Sequence, residues 1–87
     1  VIEKRLKTIV RLDDKWKDIY KIKVWFPQYV YAEGTKNSLE KIDTIETFPI
    51  EGNFFSDEET VEIPLDIKDM HIKRLKPDII KVVLRRY

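Results

Sequence analysis

The sequence holds no cysteine, one histidine, one methionine and two glycines in 87 residues. The missing cysteine excludes disulfides and thiolate metal sites, and leaves the redox compartment open, because secreted and intracellular domains can both do without the residue. His71 is alone, and no serine or cysteine sits in a nucleophile motif, so catalysis is not the expected reading. An excess of one charge is missing too: 17 basic and 16 acidic residues leave a net charge of +1. Strong attraction to nucleic acid or to an anionic membrane is therefore not implied. No apolar run approaches the ~18 residues of a membrane span.

What remains is a chain with 43% hydrophobic residues, enough for one modest core, so a single domain spanning 1–87 is the upper bound. It begins at Val1 and not at a methionine, and we read it as a segment of a longer protein. Most of it alternates with a period of two, which is strand grammar. From Ile2 to Leu12 the apolar positions Ile2, Leu6, Val10 and Leu12 are even-numbered. Asp13, Asp14 and Lys15 form a polar turn. Tyr20, Ile22, Val24 and Phe26 then share a face opposite Lys21 and Lys23, in a strand expected to run antiparallel to the first.

Pro27 removes a backbone donor and fixes φ, so the strand must break or change partners there. Beyond it Val30 and Ala32 point inward, opposite Tyr29, Tyr31 and Glu33, and Gly34 closes the strand at an expected positive φ. Asn37 is the expected N-cap, paired with Glu40 in a capping box. One short helix follows, about Ser38 to Ile42, burying Leu39 and Ile42 and held by packing against the sheet. Thr44 to Ile50 returns to extended structure, with Pro49 at an edge or bulge. A loop with Gly52, Asn53 and the acidic run Asp57, Glu58 and Glu59 leads to the alternation of Val61, Ile63 and Leu65, where Pro64 marks an edge or a kink. Met70 to Leu75 reads as a short strand, and Ile80, Val82 and Leu84 close the chain opposite Lys81 and Arg85. The approaches to Pro27 and Pro77 echo one another, each placing apolar residues three and five positions after the proline. Either one strand-proline-strand corner is used twice, or two corners share a grammar.

The fold class expected from this is all-β: a small, twisted, antiparallel or mixed β-sheet domain with one short helix. No catalytic, cofactor-binding or metal-binding residue stands out. His71, between Met70 and Ile72, reads as an edge side chain rather than a base. Asp57, Glu58 and Glu59 lack the converging turn spacing of a calcium loop and read as solvated. Trp16, Tyr20, Trp25, Phe26, Tyr29 and Tyr31 interleave with Lys15, Lys17, Lys21 and Lys23 in the manner of a stacking platform for single-stranded nucleic acid, against which stand the near-neutral charge and the expected burial of Tyr20 and Phe26. Trp25, Tyr29 and Tyr31 are the candidate site, expected to share an exposed face that meets a protein or a neighbouring domain.

The run Pro27-Gln28-Tyr29-Val30-Tyr31-Ala32-Glu33-Gly34, then Ser38-Leu39-Glu40-Lys41-Ile42, Thr47-x-Pro49-Ile50, Val61-x-Ile63-x-Leu65 and Pro77-x-x-Ile80-x-Val82 resembles the YbbR-like domain family from Phe26 to the end. That family carries a Pro-x-x-Val-x-Val-x-Gly strand, a Ser-x-Leu-x-x-Ile helix, a Thr-x-Pro-Ile strand and a closing Pro-x-x-Val-x-Val strand. Ala32 and Ile80 stand for usual valines, and Glu51-Gly52 where Asp-Leu-Ser-Gly is common. The resemblance implies a non-enzymatic domain repeated in tandem behind one membrane helix, on the extracytoplasmic face of the bacterial cytoplasmic membrane. It implies neighbouring YbbR-like repeats as contacts and a membrane diadenylate cyclase, the source of cyclic di-AMP, as the regulated partner. The alternative is an RNA-binding β domain similar to a ribosomal protein family that binds 5S RNA.

Overall fold

The computed structural model describes residues 1–67 and 71–87. Seven strands and one helix follow in order: β1 (Ile2–Ile9), β2 (Tyr20–Phe26), β3 (Tyr29–Gly34), α1 (Lys36–Leu39), β4 (Thr44–Glu46), β5 (Glu58–Pro64), β6 (Ile72–Lys76) and β7 (Ile79–Arg86). They make two curled sheets, a mixed one in the order β4-β1-β3-β6 and an antiparallel one in the order β2-β7-β5. The domain is all-β with one short helix. Val30, Ala32, Ile80, Val82 and Leu84 all point into the core, where Leu6, Leu39 and Ile45 join them, as the alternation predicts.

Pairing departs from the expected hairpin. β1 pairs with β3, and β2 pairs with β7 from the far end of the chain. The physical reason lies in 13–19, where hydrogen bonds from Trp16 N to Asp13 O, Ile19 N to Trp16 O and Tyr20 N to Trp16 O wind successive turns and carry the chain away from β1. Trp16 anchors them, buried edge-on against Tyr20 and packed on Phe54. β1 also stops at Ile9; Leu12 makes only an isolated parallel bridge to Ile50.

Three local expectations change as well. Gly34 has no positive φ; it is small because a Cβ there would lie 3.3 Å from the His71 carbonyl oxygen and 3.6 Å from Leu39 Cγ. The N-cap is Thr35, not Asn37. Thr35 is extended (φ −74, ψ 153) and its Oγ1 accepts from Ser38 N, so the helix runs over Lys36–Leu39. Lys4, facing inward from β1, closes the other end by donating from Nζ to Leu39 O at 2.9 Å and Ile42 O at 2.6 Å. Pro64 does lie on an edge strand, at the end of β5. Of the strand expected over Met70 to Leu75, β6 supplies Ile72 onward, and Met70 lies outside the described residues.

The echo around the prolines is one corner used twice. Pro27 joins β2 of the antiparallel sheet to β3 of the mixed sheet, and Pro77 joins β6 of the mixed sheet to β7 of the antiparallel one. The partners advance in step across this junction: Phe26 faces Lys81 on one side and Tyr31 faces Lys76 on the other, five residues further on in one strand and five back in the other. β2-β3 and β6-β7 are thus two long bent strands lying antiparallel, each changing sheets at its proline.

This ribbon sets the shape. From Gly34 to Tyr20 a strand path covers about 46 Å at ~3.3 Å per residue, and the molecule measures 43 × 19 × 16 Å. Its radius of gyration of 14.1 Å exceeds the ~12 Å of a compact chain of this length. Ile2 pairs with Gly34, which pairs with Ile72, so the chain enters at one tip of the rod. Arg86 pairs with Tyr20, so it leaves at the other.

Candidate functional site

The three aromatics of the candidate site do not share a face. β2 carries a bulge between Ile22 and Val24 where the register against β7 shifts. The extra residue, Lys23, inverts the alternation behind it. Trp25 therefore points inward, where its indole Nε1 donates to Thr8 Oγ1 at 2.9 Å and its ring packs on the core. Thr8 is completely buried, and its hydroxyl lies 2.9 Å from both Pro27 O and Gln28 O. Trp25 is thus part of the joint at the first proline corner. Phe26, expected inside, is 56% exposed on the outer face of the antiparallel sheet.

Tyr29 and Tyr31 remain together on the outer face of the mixed sheet, 46% and 47% exposed. Both alternate with Val30 and Ala32 in β3, which has β1 on one side and β6 on the other. Cross-strand register puts Lys7 beside Tyr29, and Arg5 and Lys76 on either side of Tyr31; the next row outward is Glu3, Glu33 and Arg74. The Arg5 guanidinium lies over the Tyr29 ring, 4.5 Å from its centre, a cation–π contact that ties the two strands.

The charges of this face are unequally matched. Glu33 takes two of the three cations of β6, Lys76 Nζ at 3.1 Å and Arg74 Nε at 3.9 Å. The hydrogen bond from Lys76 is the first cause, and the charges of Lys76, Arg74 and Lys73 add to it, so the Glu33 carboxyl titrates below the ordinary glutamate value. Arg5 and Lys7 form no ion pair among the described residues. What the surface presents is two half-exposed phenols beside two uncompensated cations.

Sequence reasoning missed a second feature at the far tip. Phe54 packs between Trp16 and Tyr20, with ring centres 5.1 and 5.7 Å apart, so its neighbour Phe55 is turned out and 83% exposed. The only signal was the doublet itself, since adjacent side chains in extended chain face opposite ways. The loop is anchored: Trp16 Nε1 donates to Gly52 O at 3.0 Å, Tyr20 Oη to Ser56 O at 2.6 Å, and Glu59 Oε1 accepts from Ser56 N at 3.0 Å. Glu58 pairs with Lys23 at 3.2 Å, and Arg86 N donates to Asp57 O at 2.7 Å.

Elsewhere the surface offers little chemistry. Trp16 and Tyr20 are buried, so the six interleaved aromatics form no common platform. His71 is exposed just before β6 with φ 55. Among the described residues no three His, Cys, Asp or Glu side chains converge as metal ligands would, and no helix is long and apolar enough to cross a membrane. An opening of about 350 Å³ between the end of β5 and β6 has an apolar lining of Leu65, Ile67, Ile72 and Leu75 with Lys73 and Asp78 at it. Comparison with protein-family models, with curated proteins and with solved structures finds no match.

Proposed function

We propose that this chain is a non-enzymatic, YbbR-like repeat that acts as a spacer and protein-contact module in a membrane-anchored extracytoplasmic protein, and that the regulated partner is a membrane diadenylate cyclase. The observation that carries the spacer role is the path of the chain, which enters at one tip of a 43 Å rod and leaves at the other. Domains joined tip to tip in this way add length, whereas domains with adjacent termini hang from their linker. The motif residues behind the family resemblance occupy positions that make the rod: Pro27 and Pro77 at the sheet-changing corners, Gly34 under the His71 carbonyl, Leu39 in the core. The cyclase partner and the location come from the resemblance alone.

A domain of this kind acts on a partner by binding some of its states better than others. Tyr29 and Tyr31, flanked by Arg5 and Lys7, are the contact surface this reading uses. The test is affinity capture of the full-length parent from its own membranes, followed by mass spectrometry. A diadenylate cyclase should co-purify and should be depleted by Tyr29→Ala with Tyr31→Ala. A soluble parent carrying RNA, with binding that falls steeply as salt rises, would overturn the reading in favour of the RNA-binding alternative.

A further inference from the structure

The two tips of the rod carry complementary features. At the exit tip, three side-chain hydrogen bonds and an aromatic cluster hold a loop whose outward residue, Phe55, is 83% exposed. A large apolar ring on an immobilised loop loses little conformational entropy when it is covered, which is the property of an interface anchor. Asp57 follows two residues later, exposed, with its backbone tied to Arg86. Toward the entry tip, the outer face of the mixed sheet presents Tyr31 and Tyr29 beside Arg5 and Lys7, two cations without an ion pair among the described residues. The row of Arg5 and Tyr31 lies three residues from Ile2, about 10 Å along the strand from the tip. Two rods placed end to end with that overlap bring an aromatic knob and an anion to an aromatic face and its cations.

We infer that the Phe55 loop of one copy of this chain docks on the Tyr29–Tyr31 face of a second copy, with Phe55 against the tyrosine rings and the Asp57 carboxylate at Arg5 and Lys7. The contact is head-to-tail, so a docked pair still has one knob and one face free and the array does not close. The inference rests on the repeat reading above only in setting the copies end to end. It makes the overlap of two end-to-end copies a defined joint, and it leaves the one undocked Tyr29–Tyr31 face of the row open to the partner named above.

The chain has no cysteine, so single thiols report the contact without background. Glu3→Cys, on the face and two residues from Arg5, is mixed with Ser56→Cys, beside the knob, and oxidised gently. The mixed disulfide should exceed each symmetric one by about tenfold, against twofold for random pairing, because docking raises the local concentration of the two sulfurs. Phe55→Ala in the Ser56→Cys copy should return the ratio to random. Arg5→Glu in the Glu3→Cys copy should do the same, and Asp57→Lys in the other copy should restore the excess. Phe55 is exposed, so its variant melts with the parent and a folding defect is not the cause. Random pairing in the unaltered mixture, or an excess that survives Phe55→Ala, overturns the inference and leaves the face to a partner other than this chain. Membrane capture is a separate readout: an excess without a cyclase sinks the cyclase reading alone, and a cyclase without an excess sinks this contact alone.

Discussion

Replacing Trp25 by alanine separates a core indole from a surface one. Truncating a buried tryptophan costs roughly 3 to 5 kcal/mol. Trp25 is only partly buried, so about 2 to 3 kcal/mol is the expectation on the same scale. For a domain of this size each kcal/mol lowers the melting temperature by roughly 4 to 8 °C, so Trp25→Ala should lose at least about 8 °C. The polar share can be isolated. Trp25→Phe keeps most of the ring but removes the donation to Thr8 Oγ1, at a cost of about 1 kcal/mol. Thr8→Val leaves the carbonyls of Pro27 and Gln28 without the hydroxyl and the indole without its acceptor, for about 2 to 3 kcal/mol. Because both substitutions delete the same bond, their combination should fall short of additivity by about 1 kcal/mol. Urea unfolding followed by circular dichroism should show lower midpoints at unchanged slope. If Trp25→Ala unfolds within about 0.5 kcal/mol of the parent, the ring lies on the surface and the bulge at Lys23 is misplaced.

Gly34→Val should cost about 1 to 3 kcal/mol through contact with the His71 carbonyl, Gly34→Ala less, and Gly34→Asn no less than alanine; better tolerance of asparagine in thermal melts would restore the positive φ. Lys4→Met removes the ammonium donor from Leu39 O, which keeps Ile42 N, and from Ile42 O just beyond α1, and should lose about 1 to 2 kcal/mol. Asp43→Ala, although it breaks an ion pair with Lys4, should stay within about 0.5 kcal/mol because that carboxylate is exposed; a larger loss for Asp43 than for Lys4 would reverse the account. For Glu33, whose folded carboxyl titrates low because of Lys76 and its basic neighbours, the contribution is fully present above the ordinary glutamate value and is lost as pH falls through the lowered one. The stability gap between parent and Glu33→Gln should therefore close in acid, and a gap independent of pH would show that the ion pairs contribute nothing.

Strand positions were legible wherever alternation ran unbroken. Val30, Ala32, Ile80, Val82 and Leu84 needed only the period of two, and all five are in the core. Trp25 was not legible, because Lys23 is an ordinary strand residue and nothing local announces that the ladder admits one residue too many. Pairing was harder still. β2 finds its partner some sixty residues away in Arg86 to Lys81, and the only trace of that was the echo around the two prolines. Thr35 and Asn37 both satisfy the preference for a short polar cap. The choice fell to Thr35 because β3 delivers it extended at the head of the first turn. Tyr29 and Tyr31 followed from the same alternation as the core, whereas Phe55 depended on Phe54 being claimed by Trp16 and Tyr20.

The path of the two long strands bears on what tension would do. β1 runs inward from the entry tip and β7 runs outward to the exit tip, so a pull on the ends is directed along both strands. Ladder hydrogen bonds lie across the strand direction; a lengthwise pull loads a whole row at once, where a sideways one would open them singly. β1 is flanked by β3 and β4, and β7 by β2 and β5, so neither strand can slide without shearing two ladders together. Stretched from its two ends, such a rod would hold its length up to a single abrupt rupture, which a force-ramp experiment would register as one event and not as a gradual yielding.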